Sequence, residues 1–211
     1  MENIKKSVLE KLLKDEASEK KLLKSFSVFL PTKGNICGKM IIFCMCMVPS
    51  YFTSHSYCTV ILFGSVCDRM LDIFLTLFGI IFTGFVFFQA LLNDELLIML
   101  IKTKAKNEKK EKSKLEEVNN NFVSLMMLYV VAIITSLILT VIIPCIPIDF
   151  TLFSNIAFCN FFAWILIQIF YFFSAELLWR VLSFVHNIYQ LFNAYAVSRI
   201  INLVSIKEDD E

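Results

Sequence analysis

Glycine, proline and histidine are scarce in this chain of 211 residues, which holds five, four and two of them. There is no Gly-rich phosphate loop, no serine in a nucleophile elbow and no His-Glu metal pattern. An enzyme needs convergent titratable groups, yet His55 and His186 fall on opposite sides of the topology that the basic residues imply. Catalysis is therefore not expected, and neither a cofactor nor a metal site is expected. Net charge is scarce too, at +1. Nucleic-acid binding rests on an excess of Lys and Arg that neutralises phosphates, so no direct nucleic-acid partner is expected.

Apolar surface is abundant: hydrophobic residues make up 57% of the chain, 22 of them Phe, and the mean hydropathy is +0.69. Those values exceed what a water-soluble domain carries. A bilayer core of about 30 Å needs about 20 mostly apolar residues per helical span. Four stretches meet that length: about Met40 to Thr59, Met70 to Leu92, Phe122 to Ile143, and Leu152 to Ala175. Their apolar residues run continuously rather than alternating, and a span in lipid must satisfy its backbone internally. The fold class expected is an all-α polytopic membrane protein with four transmembrane helices and cytoplasmic helical extensions.

Lys and Arg bias short loops toward the cytoplasm. Nine Lys from Lys5 to Lys39 precede or open the first span, and seven more lie between Lys102 and Lys114. The predicted outer connections hold only Arg69, and "IPCIPIDF" has no basic residue. Both termini are thus expected in the cytoplasm. Residues 1–35 read as holding an amphipathic helix from about Glu2 to Phe26 with Ile4, Val8 and Leu12 in register, not a cleavable signal, because charges separate Ile4, Val8, Leu12 and Leu13 near the start. Residues 36–92 hold two spans and an outer loop. Residues 93–121 read as a charged helical hairpin whose seven Lys are offset by Asp94, Glu95, Glu108, Glu111, Glu116 and Glu117. Residues 122–175 hold the third and fourth spans.

Residues 176–211 form the last segment, and Ala175 to Ser205 contains neither Gly nor Pro. Glu176, Arg180, Ser183, Asn187, Gln190, Ser198 and Asn202 recur at helical intervals and make a narrow polar stripe. The rest is a broad apolar surface that needs covering. A fifth span would bury His186, Asn187, Asn193 and Arg199 in lipid at about 2.5–3.5 kcal/mol for a central Arg. Burial against another chain is preferred, with Leu178, Phe184, Ile188, Phe192 and Tyr195 as the oligomer or partner interface.

Between the first two spans, Ser54, His55 and Ser56 are expected at the outer interface, with Thr59 to Val66 as a short return and Asp68, Arg69 and Asp72 as a charged outer cluster. Seven Cys are scattered along the chain, and only Cys44-Met45-Cys46-Met47 is compact. Thiolate and thioether ligands suit copper(I), but no His neighbours this run, and free Cys and Met are ordinary packing residues. Cys58, Cys67 and Cys145 are candidates for an outer disulfide that sequence alone cannot pair.

Thr76, Thr83, Gln89, Thr135, Ser136, Thr140, Asn160 and Gln168 are read as interhelical hydrogen-bond residues, and Gly79 and Gly84 as sites of close helix packing. Asn160 and Gln168 lie roughly on one helix face, which makes them candidate pore-lining residues and an oligomeric ion channel or pore the alternative function. Four spans, both ends inside and large cytoplasmic helices resemble the small membrane subunits of bacterial anti-phage defence systems, in particular the membrane subunit of the Kiwa system. The resemblance is one of architecture. It implies an oligomer in the bacterial inner membrane, in contact with lipid, that senses infection at the envelope and holds a soluble cytoplasmic effector. The expected function is accordingly a non-enzymatic oligomeric scaffold or sensor that recruits a soluble cytoplasmic protein partner.

Overall fold

The computed structural model describes residues 22, 25–26, 36–92, 97, 100, 114–147, 150–151 and 153–209. These residues build four long helices: α1 (Ile36–Ser54), α2 (Thr59–Leu91), α3 (Lys114–Ile142) and α4 (Ile156–Asp209), with one 3-10 turn at Ile143–Cys145. No strand occurs among the described residues. Each helix contains a segment long and apolar enough to cross a membrane. The chain is an all-α polytopic protein.

Helix ends follow local chemistry that the apolar runs alone do not reveal. Ser54 closes α1 by donating its hydroxyl to Tyr51 O at 3.0 Å. His55 N donates to Tyr51 O, and α2 starts at once, with Leu62 N donating to Cys58 O at 2.9 Å. Thr59 Oγ1 donates to Ser56 O at 2.8 Å and ties the turn. The expected outer return over Thr59 to Val66 is therefore corrected: those residues are the opening turns of α2. Asp68, Arg69 and Asp72, expected as a charged outer cluster, all lie inside α2.

α3 begins eight residues ahead of the expected third span, since Lys114 to Asn121 are already helical. Pro144 lacks the backbone N–H that an α-helix needs, and the chain tightens there into the 3-10 turn. Asn155 opens α4: its Oδ1 accepts from Ala157 N at 3.0 Å, the side-chain capping that Asn favours. The expected start at Leu152 lies outside the described residues, and α4 is described from Ile156. From Ile156 on, no Gly or Pro interrupts the helix, and it runs unbroken to Asp209. The absence of a turn after the fourth span is as expected, and it leaves no separate fifth helix among the described residues. Of the N-terminal amphipathic helix and the charged hairpin, most residues lie outside those described. Leu22, Ser25, Phe26, Leu97 and Leu100 are helical.

Two helix pairs carry the packing. α2 runs antiparallel to α3, with Phe74 edge-on to Tyr129 at 5.9 Å and Phe88 stacked on Phe122 at 5.5 Å. At the other end a Cβ on Gly64 would lie 3.3 Å from Ile143 Cγ2. α1 pairs with α4, where Phe43 meets Phe172 edge-on at 5.7 Å. The pairs join through α4: Tyr129 Oη donates to Leu177 O at 3.1 Å, and Phe184 packs edge-on against Phe122 at 4.9 Å. A Cβ on Gly84 would sit 3.2 Å from Ile188 Cδ1 and 3.3 Å from Phe184 Cζ, so this glycine lets α4 approach α2. Gly79 has no such neighbour within 4 Å, and its expected packing role within the chain is not found. Lipid is as apolar as Leu, so such pairs are held by close contact and interhelical hydrogen bonds rather than by escape from water.

Candidate functional site

Polar side chains inside the apolar helices need partners, because an unmet hydrogen bond in hydrocarbon is costly. Gln168 on α4 is almost fully buried against α1. Its Oε1 accepts from Ser50 Oγ at 2.5 Å, and its Nε2 donates to Phe43 O at 3.0 Å. Nearby, Thr53 Oγ1 and Tyr171 Oη are 3.1 Å apart. Both ends of the Gln168 amide are thereby used to hold α1 to α4. Pro49 lies within α1 between these contacts. A proline there leaves a backbone carbonyl without its helical donor, which neighbouring helices and hydroxyl side chains tolerate in membrane spans.

The two residues read as pore-lining are not brought together. Gln168 is enclosed between helices, whereas Asn160, about 12 Å nearer the start of α4, lines a groove of about 410 Å³. That groove lies between the α1–α2 turn and the start of α4, and Ser54, Thr59, Thr151 and Asn160 give it its polar wall. Within one chain these two side chains do not form a channel wall.

The residues read as an oligomer or partner interface on α4 are largely used within the chain. Phe184 is buried in the main core, with Ile188 and Tyr195 packed against it. Phe192 touches Phe87 of α2 at 5.4 Å, and Leu178 is half-buried. The surface left open on α4 is a different face, with Trp179, Leu182, Val185, Tyr189, Val197 and Ile200 exposed. Sequence periodicity found the apolar faces of α4 but not which of them α2 and α3 would take.

Glu176 is buried in α4, and Arg180 one turn on feels its charge. His186 shares a contact of 2.8 Å with Gln190 on the exposed side of α4, while His55 sits in the α1–α2 turn. About 30 residues of helix, roughly 45 Å at 1.5 Å per residue, separate the level of that turn, which borders the same groove as Ile156, from His186. Among the described residues no three His, Cys, Asp or Glu side chains are grouped as a metal site would need. All seven cysteines are free. Consecutive side chains on a helix point in different directions; accordingly Met45 is exposed and Cys46 buried.

Sequence reasoning missed Ser50, Thr53, Tyr129 and Tyr171. The signal was present in "PSYFT", where a proline inside an apolar run is followed by three hydroxyl side chains, Ser50, Tyr51 and Thr53. Toward the end of α3 that lies away from the 3-10 turn, Ser124 donates to Ser25 Oγ at 2.7 Å. No protein-family model, curated protein or solved structure matches this chain.

Proposed function

We propose that the protein is a non-enzymatic, oligomeric membrane scaffold or sensor whose inner helical extension recruits a soluble protein. One observation carries the reading. α4 has 54 residues, about 81 Å of helix at 1.5 Å per residue, whereas a bilayer core takes about 30 Å. The chain's own core reaches no further along α4 than Tyr195 among the described residues. Val197 and Ile200 beyond it are exposed, and an exposed apolar helix face of this kind is a docking surface for a partner helix or groove.

The inner side of a bacterial membrane, with both termini cytoplasmic, is the placement favoured by the basic residues around the first span and between the second and third. A role in anti-phage defence is supported by the architectural resemblance alone. The test is Val197→Asp and Ile200→Asp, expressed in the native host, with soluble proteins co-purifying in fixed ratio counted by native mass spectrometry. Loss of that partner from variants that insert and assemble normally is the expected result. An unchanged partner in both variants sinks the reading.

A further inference from the structure

The face of α2 that turns away from α3 and α4 carries a pattern that packing within the chain does not use. Ser65, Asp68, Asp72, Thr76, Gly79, Thr83, Val86 and Ala90 follow one another at intervals of three or four residues, and all are exposed. Side chains at these intervals share one helix face. Most are small or polar, which is the make-up of a helix surface that another helix approaches closely. On the outward face of an apolar helix, lipid alone would not call for such residues.

Charge identifies what approaches. Asp68, Arg69 and Asp72 lie about 14–20 Å along α2 from Thr59, inside the helix and well away from both ends. The α2–α3 register, fixed by Gly64 against Ile143 and Phe74 against Tyr129, sets them level with the last third of α3. There α3 exposes Ile134, Leu137, Ile138, Val141 and Ile142. On α2 itself Ile61 and Leu62 precede the triad, and Ile73 and Leu75 follow it, all exposed. Three ionisable side chains thus sit in a field of aliphatic surface. Lys39 and Arg180 have contacts of their own, and no described side chain pairs with the triad.

Ionised groups in apolar surroundings are costly unless paired. The triad holds both signs within about 100° of helix arc, so it complements itself. Arg69 of one copy set between the Asp68 and Asp72 carboxylates of another forms charge-assisted, fork-shaped hydrogen bonds. Closed symmetry repeats that contact at every interface. Gly79, with open space where a Cβ would stand, lets the two α2 helices close beside it. We infer that the Ser65–Thr83 face of α2 is the assembly interface between copies of this chain, and that Asp68, Arg69 and Asp72 specify it.

The inference deepens the proposed function, because it rests on the protein being oligomeric, and it moves the assembly contact from α4 to α2. Two differently tagged copies are co-expressed, extracted in mild detergent and co-purified. Wild-type copies capture one another. Arg69→Asp makes the triad wholly acidic and Asp68→Arg/Asp72→Arg makes it wholly basic, and each variant alone loses self-capture by at least about tenfold, as like charges meet. Co-expressed with each other, the two variants pair again, which a misfolded chain would not do. Self-capture that persists in either variant, or variants that insert but fail to rescue one another, overturns the α2 interface while leaving the scaffold reading standing. Wild-type chains that never capture one another overturn both.

Discussion

Gln168→Leu separates two roles that a polar residue in an apolar helix can have. In the structure its amide bridges Ser50 Oγ at 2.5 Å and Phe43 O at 3.0 Å. Interhelical hydrogen bonds in membranes average about 0.6 kcal/mol and reach about 1.7 kcal/mol. Losing two therefore costs about 1.2 kcal/mol, and no more than about 3.4 kcal/mol, on that scale. The lower figure is expected, because both partners keep an alternative. The Ser50 hydroxyl also lies 3.1 Å from Met47 O and turns to it when Gln168 is gone, while the Phe43 carbonyl remains inside a continuous helix. Ser50→Ala alone should cost about 0.6 kcal/mol.

The assay is a double-mutant cycle on reversible unfolding in bicelles. A coupling of about 0.6–1.7 kcal/mol between Ser50 and Gln168 is expected. Coupling indistinguishable from zero would refute the reasoning that this bridge locks α1 to α4. The same variant in planar bilayers addresses the pore reading, which expects altered conductance from Gln168→Leu where the lock expects only lost stability.

Gly84→Leu should destabilise by about 1–3 kcal/mol, since even a Cβ there crowds Ile188 and Phe184, whereas Gly79→Ala should leave the stability of the isolated chain within about 0.5 kcal/mol. The same unfolding titration reads both, and equal effects would contradict the α2–α4 approach described above. Tyr129→Phe removes a fully buried hydroxyl from Leu177 O; a loss of about 0.6–1.7 kcal/mol is expected, measured with the ring packing on Phe74 preserved.

The number of spans and their helical nature were legible because both rest on length and continuity of apolar runs, which lipid imposes directly. Helix ends were less so. They are set by single hydrogen bonds such as Asn155 to Ala157 and by the Ser54–Thr59 turn, and hydropathy has no term for these. Burial within α4 was hidden for another reason. Phe184, Ile188 and Tyr195 stand on a helix that is apolar nearly all round, so its pattern does not say which face meets α2.

The Asp68–Asp72 triad shows most clearly how a sound local rule loses to tertiary register. Charge in an apolar sequence normally marks where a span leaves the membrane, and on that rule the triad belongs at the outer end of the second span. The α2–α3 pairing removes that freedom: with Gly64 already against Ile143, any residue some turns further along α2 must lie beside the aliphatic end of α3. Shifting the triad into water would pull Phe74 off Tyr129 and Phe88 off Phe122, the contacts that hold the pair. Retaining those aromatic contacts leaves the charges among aliphatic side chains, and charges so placed need a partner that the described residues of this chain do not supply.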